Sequence, residues 1–210
     1  MATDKRVRLN AQDRRAQLIE LGRHMLATRT LDDLSVEDLA DEAGVSRGLL
    51  FHYFRSKQEF HLEVARAAAA ELLARTAPDP SLKPPERLHH SLGAFIDYVV
   101  ENEDGYVSLV RGAASGDAAM RAVSDETRSE QARRVLANLA ELGLPLRPES
   151  ELAIHGWIAF AEEAVVRWLQ QRTVSKQEVL RMLANSLPAL VLASGDLLPA
   201  DLATLLAATG

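Results

Sequence analysis

The sequence predicts an all-α protein in two parts, a small N-terminal three-helix unit followed by a larger C-terminal helical body. Three observations predict it. Aromatic residues make up only 5% of a 210-residue chain that is 47% hydrophobic and rich in alanine and leucine, a composition that favours helix over sheet. Apolar residues recur at three- and four-residue spacing along most of its length. Serines followed three residues later by an acid mark helix starts, and clusters of proline and glycine separate the periodic segments.

The elements justify themselves in order. Lys5, Arg6 and Arg8 form a basic arm, either a solubilising tail or a contact for phosphate or a minor groove. Asn10 with Asp13 can cap a first helix running to about Thr28, with Leu18, Leu21, Gly22, Met25 and Leu26 as its apolar stripe. Ser35 with Asp38 opens a second helix, stapled by Leu34 and Leu39, whose inner face is Leu39, Ala40 and Ala43. Gly44 suits the turn that ends it, since glycine takes a positive φ at little cost. Val45 plugs the turn, Ser46 caps a third helix, and Leu50 and Tyr53 carry that helix's inner face, with Phe54 and Phe60 closing the core.

A small residue, three spacers and a glycine, with apolar residues at these offsets, is the helix-turn-helix pattern. A corner-turning hairpin would satisfy the glycine alone. Arg47, His52, Tyr53, Arg55 and Lys57, however, place cationic and donor groups on one short segment, and no acid intervenes between Glu42 and Glu59. That combination points to insertion of the second motif helix into the major groove of DNA. Ser56 to Glu59 is a further capping box, and Lys57 in the first turn of the helix it opens marks a phosphate site.

The stretch resembles the DNA-binding domain of the TetR family of bacterial transcription regulators. The resemblance rests on the AGVS turn at 43–46, on Gly48 and Leu50, on the HYF run at 52–54, and on Ser56 and Lys57. It covers about residues 13–70. The family implies contacts to DNA from Ser46, Arg47, Gly48, Leu49, Phe51, His52, Tyr53, Arg55 and Lys57. Leu49 and Phe51 depart from the family's frequent threonine and tyrosine, so two phosphate-reaching hydroxyls are replaced by surfaces suited to a thymine methyl or a sugar.

The helix from Lys57 reaches about Thr76 and serves as a connecting rod, and the proline-rich stretch at 77–85 is the domain boundary. The division is therefore 1–56 for the arm and helix-turn-helix, 57–76 for the connecting helix, and 77–210 for the C-terminal domain. Helices are expected from Pro85 to about Val100, from about Gly105 to Ala114, from Ala118 to about Leu142 and from Glu149 to about Gln171. The last of these is apolar over most of its circumference, with Trp157, Phe160, Ala164 and Trp168 down one side and Ile154, Ile158, Val165 and Leu169 down another, which predicts burial on two sides. Ser175 and Glu178 cap a further helix, which Pro188 should kink or end, and a tail helix is expected at about 200–208. The two adjacent apolar helices suit either burial within one chain or a four-helix dimer interface. The family implies the dimer, and with it two recognition helices on successive major grooves and a near-palindromic operator.

Several chemistries are excluded or unsupported. The chain has no cysteine, which removes disulfides and thiolate zinc sites and suits a reducing cytoplasm. No apolar run is long enough to span a bilayer, and no partner membrane is expected. His89 and His90 are adjacent and face different ways, and His52 and His61 sit on separate helices, so no metal or other cofactor is called for. No nucleophile elbow, phosphate loop or HExxH motif occurs. The net charge of −6 lies wholly in the second part: residues 1–60 hold ten basic and ten acidic side chains, and residues 61–210 hold 14 and 20. The local field near the turn, not the net charge, governs phosphate binding.

The reading is a cytoplasmic homodimeric regulator, a repressor on the family's pattern, released from double-stranded DNA by a small, mostly apolar effector. Phe95, Tyr98, Val99, Tyr106, Leu109, Met120, Trp157, Phe160 and Trp168 are the candidate pocket residues, each equally suited to plain core packing. Three rivals share the all-α fold: an activator, a helical interaction protein whose motif no longer binds DNA, and a helical enzyme using the pocket.

Overall fold

A computed structural model describes residues 10–113, 117–143 and 146–193. Among the described residues there are nine α-helices and no strand: α1 (Ala11–Leu26), α2 (Val36–Ala43), α3 (Arg47–Tyr53), α4 (Lys57–Arg75), α5 (Pro84–Glu101), α6 (Glu103–Ala113), α7 (Ala118–Glu141), α8 (Pro148–Gln171) and α9 (Lys176–Ala193). The basic arm and the tail helix expected at 200–208 lie outside the described residues.

The start signals act as the residues suggest. Asn10 Oδ1 accepts from Asp13 N at 2.8 Å, Ser35 Oγ from Asp38 N at 2.9 Å and Ser56 Oγ from Glu59 N at 3.1 Å. Each satisfies one backbone donor that the first turn of a helix leaves open. Two of the expected reciprocal bonds are diverted to cations. Asp38 pairs with Arg29 at 3.6 Å, and Glu59 Oε2 accepts from both the backbone N and Nε of Arg55. At Ser175 the box is complete: its N donates to Glu178 Oε2 at 2.7 Å and its Oγ accepts from Glu178 N at 3.3 Å. Pro188 does not end α9, which continues to Ala193 with the proline buried inside it. Leu187 and Val191 hold the helix against the core on either side, and that packing outweighs the one hydrogen bond a proline removes.

There are two cores. The N-terminal one gathers Leu18, Leu26, Leu34, Leu39, Leu50, Phe54 and Phe60 from α1 to α4, with Phe54 and Phe60 edge to face at 5.2 Å. The C-terminal one gathers α5, α7, α8 and α9 around Ile96, Val99, Ile154, Trp157, Val165, Leu183 and Leu187. Helix α4 contributes to both, through Phe60, Val64 and Ala68 at one end and Leu72 at the other. The break before α5 is therefore a boundary in sequence more than in space.

Two glycines set how closely helices approach. A Cβ on Gly22 would lie 2.7 Å from both Phe60 Cζ and Val64 Cγ2, so the glycine lets α1 press on α4. A Cβ on Gly105 would lie 2.1 Å from the carbonyl oxygen of Leu26, so the start of α6 rests directly on the end of α1. Leu31 N donates to Ser108 Oγ at 2.9 Å beside this contact. Because the obstacle at Gly105 is backbone, Gly105→Ala should cost about 2–3 kcal/mol by overpacking, read as a lower urea midpoint. Ala substituted at Gly93, inside α5, where a Cβ would meet nothing within 4 Å, should instead raise the midpoint, by about 0.5–1 kcal/mol of helix propensity.

Candidate functional site

The motif at α2 and α3 is built from its turn. Gly44 adopts φ 62° and ψ 38°. Its N–H points to Asp41 O at 3.2 Å, and Val45 N donates to Ala40 O at 2.9 Å. This doubly bonded glycine terminus caps α2 and turns the chain. Ser46 Oγ then accepts from Leu49 N at 3.3 Å and starts α3. Leu50, 1% exposed, pins α3 to the core, with Val45 and Tyr53 packed at its edge.

With that face fixed, the opposite face of α3 stands outward. Arg47, Gly48, Phe51 and His52 are exposed, Phe51 at 56%, while Leu49 and Tyr53 are half-buried. His52 and Tyr53 meet edge to face at 5.4 Å. Around Gly48 the space is open, so another backbone could approach there. Arg47 lies 3.2 Å from Glu37 across the turn, but its side chain is 65% exposed. Such surface pairs are worth at most about 1 kcal/mol, so the guanidinium is available to a stronger anion. Arg55 is 92% exposed at its side chain and shares Glu59 with Arg15.

Lys57 differs from the simple phosphate site expected of it. Its Nζ donates to Asp32 O at 3.0 Å, tying α4 to the loop after α1. Two ammonium protons remain. His61, one turn on, donates Nε2–H to Leu34 O at 2.8 Å, and burial pushes its pKa down, so it is a neutral structural group. The sequence offered no signal for this role, because Leu34 O is brought to it by the fold.

Two cavities open in the C-terminal domain. One, about 60 Å³, lies among α4, α5, α6 and α7 and is lined by Tyr98, Tyr106, Leu109 and Met120 together with Ala68 and Leu72. The other, about 80 Å³, lies among α5, α7 and α8 and is lined by Phe95, Trp157, Leu92, Val135 and Ile158. The remaining three expected pocket residues lie elsewhere. Val99 is sealed in the core at 0% exposure. Phe160 turns outward at 41% exposure because the core side of α8 is already filled by Trp157, Ala161 and Val165. Trp168 donates Nε1–H to Val174 O at 2.7 Å beneath the Arg172 guanidinium, at the end of α8. The helix α8 is thus buried on one side, not two, within a single chain.

Glu162 lines both cavities. Arg128 holds it, Nε to Oε2 at 2.8 Å, yet burial still raises the carboxyl pKa. Apolar periodicity carries no sign of Glu162's place, because one acid on a helix ordinarily faces solvent.

Two family models match this chain: "Bacterial regulatory proteins, tetR family" over residues 18–64 and "Tetracyclin repressor-like, C-terminal domain" over residues 84–190. The chain belongs to the TetR family. This TetR-family regulator is 30% identical to the transcriptional repressor KstR2 of Mycobacterium tuberculosis over 170 residues, 78% of this chain and 84% of that protein. It is 30% identical to the transcriptional activator FasR of Mycolicibacterium smegmatis over 101 residues, 47% of this chain and 46% of that one. Its fold matches a TetR-family regulator from Streptomyces coelicolor with TM-score 0.79 and 27% identity, over 95% of this chain and 90% of that one. The helix-turn-helix is therefore the DNA-binding unit of a transcriptional regulator. Among the described residues no helix is long and apolar enough to cross a membrane.

Tyr98 joins the first cavity to α4. Its OH donates to Ala68 O at 3.0 Å, and burial pushes its pKa up to about 12. The unfolded phenol loses its proton near 10 and the folded one resists until about 12. This stabilisation is therefore complete below pH 10 and is lost as pH rises towards 12. Tyr98→Phe should lower stability at pH 8 by about 1 kcal/mol for the missing hydrogen bond. It should also flatten the alkaline limb of a urea-midpoint profile between those two pH values.

Proposed function

We propose that this regulator binds a near-palindromic operator as a homodimer, represses from it, and is released when a small molecule occupies the C-terminal domain. The observation that carries the DNA reading is the orientation of α3: Leu50 faces the core, while Arg47, Gly48, Phe51 and His52 face solvent together. In this reading Arg47 and His52 supply donors to bases or phosphates, and Leu49 and Phe51 supply apolar contact to thymine methyls or sugars. The open backbone at Gly48 admits a phosphate strand. Ser46, Tyr53, Arg55 and Lys57 flank the helix and contact the backbone on either side.

A dimer is supported by the outer strip of α8 and α9. Leu152 is 75% exposed, Met182 45%, Phe160 41% and Leu190 37%, and Gly156 and Ala159 between them are small enough for close helix packing. A second copy would bury that strip and form a four-helix bundle. Repression is the reading that the repressors among the relatives favour; the similarity to FasR supports activation as the second reading. An effector acts by binding better to a conformer whose two α3 helices are misplaced than to the DNA-competent one. Helix α4, common to both cores, is the part that would carry this shift.

Fluorescence anisotropy with duplex DNA tests the reading. Affinity should fall steeply with salt, as counterions are displaced from phosphates. Arg47→Ala should weaken binding about tenfold and reduce the salt slope by about one, with circular dichroism unchanged. Salt-insensitive binding, or a wild-type slope in the variant, would contradict the proposed role of α3.

A further inference from the structure

Among the described residues, five buried side-chain atoms have no hydrogen-bond partner: Arg87 Nε, Ser91 Oγ, Gln131 Oε1, Asn138 Oδ1 and the Tyr106 hydroxyl. The first four belong to residues lining one cavity, that among α5, α7 and α8. An orphaned buried polar group costs about 1–3 kcal/mol, and native proteins keep few of them. Four in residues of α5 and α7 around one cavity, whose α8 side is the apolar Trp157, Ile158 and Ala161, form a set of unused recognition groups.

From this set we infer that the cavity takes a neutral, largely apolar molecule bearing a hydroxyl group, an alcohol or a phenol. The inference rests on the reading of the C-terminal domain as an effector site. Asn138 fixes the hydrogen-bonding sense. Its Nδ2 donates to Pro84 O at 2.7 Å, so Oδ1 is an acceptor and requires a donor from the ligand. Arg87 supplies the complement. Its Nη1 is held by Glu141 and its Nη2 by Leu82 O, which leaves Nε–H to donate. Both groups lie where α5 begins and α7 ends. A hydroxyl donates and accepts at once, as this donor–acceptor pair demands. Ser91, one turn along α5, and Gln131, two turns back along α7, offer a second polar position.

The charges on the wall are already matched. Arg87 pairs with Glu141, Arg134 with Glu130, and Arg128 with Glu162. A carboxylate ligand would find no spare cation and would meet Glu162. This selects a neutral molecule over an anion.

Calorimetry on the full-length protein without DNA tests the inference, using 2-naphthol, 2-methoxynaphthalene and 2-naphthoate as probes. 2-Naphthol should bind at least tenfold more tightly than its methyl ether, which accepts but cannot donate, and than the anion. The double variant S91A/Q131L removes two orphaned atoms without exposing others. Without ligand its melting temperature should rise by about 2–4 °C, and it should keep the preference for naphthol over the ether, because Asn138 and Arg87 are untouched. Equal binding of naphthol and ether, binding of neither, preference for naphthoate, or a variant no more stable than wild type would each overturn the assignment. None of these readouts involves DNA, so their failure is separate from a failure to bind an operator, which would overturn the regulatory reading.

Discussion

The fold depends on α4 being one continuous helix with a place in two cores. Phe60 and Val64, both fully buried, anchor its first turns among α1, α2 and α3, and Leu72 anchors its far end against α5 and the C-terminal body. Fully burying a phenylalanine or leucine contributes about 1.5–3 kcal/mol, so neither end can let go cheaply. The DNA-facing helix is thereby placed by the same rod that lines the first cavity. Glycine at position 22 makes the close crossing with α1 possible, and glycine at 105 adds a second bearing point between α6 and α1. A change in the first cavity has a short physical route to α3: through Tyr98 to the backbone of Ala68, or through α6 to Leu26 and the loop at Leu31.

The outward face of α3 follows from the motif's economy. Seven residues form the helix, and one fully buried leucine with two half-buried neighbours is enough to dock it. The remaining positions are released from packing duty. Nearby acids, Glu37 and Glu59, sit against Arg47 and Arg55 without burying them. The basic groups are thus kept ordered yet exchangeable, which suits a surface that swaps intramolecular carboxylates for phosphates.

Most of the N-terminal unit was legible in the sequence because its signals are local. Capping serines, a glycine at the turn and apolar residues at fixed offsets each act within four residues, and Ser35, Gly44, Ser46 and Ser56 all do what their positions imply. The C-terminal domain was legible as helices and much less as a site. Aromatic side chains on α8 look alike in a one-dimensional pattern, yet Trp157 is core and Phe160 is surface, and the packing of α7 and α9 against α8 decides which is which. The polar wall of the second cavity was invisible for a related reason. Gln131 and Asn138 lie on a helix that mixes polar and apolar residues along its length, and its sequence does not say which amides the neighbouring helices will cover. Pro188 shows the converse: a strong local breaker overridden by tertiary packing.

The central claim is that two copies of this chain present two outward α3 helices to one duplex. Selection of bound sequences from a pool of random double-stranded DNA tests it most directly. The account predicts enrichment of an inverted repeat whose half-site centres are about one helical turn, 34–36 Å, or a small multiple of it apart. Enrichment of a single unpaired half-site, of a direct repeat, or of nothing above the starting pool would contradict it.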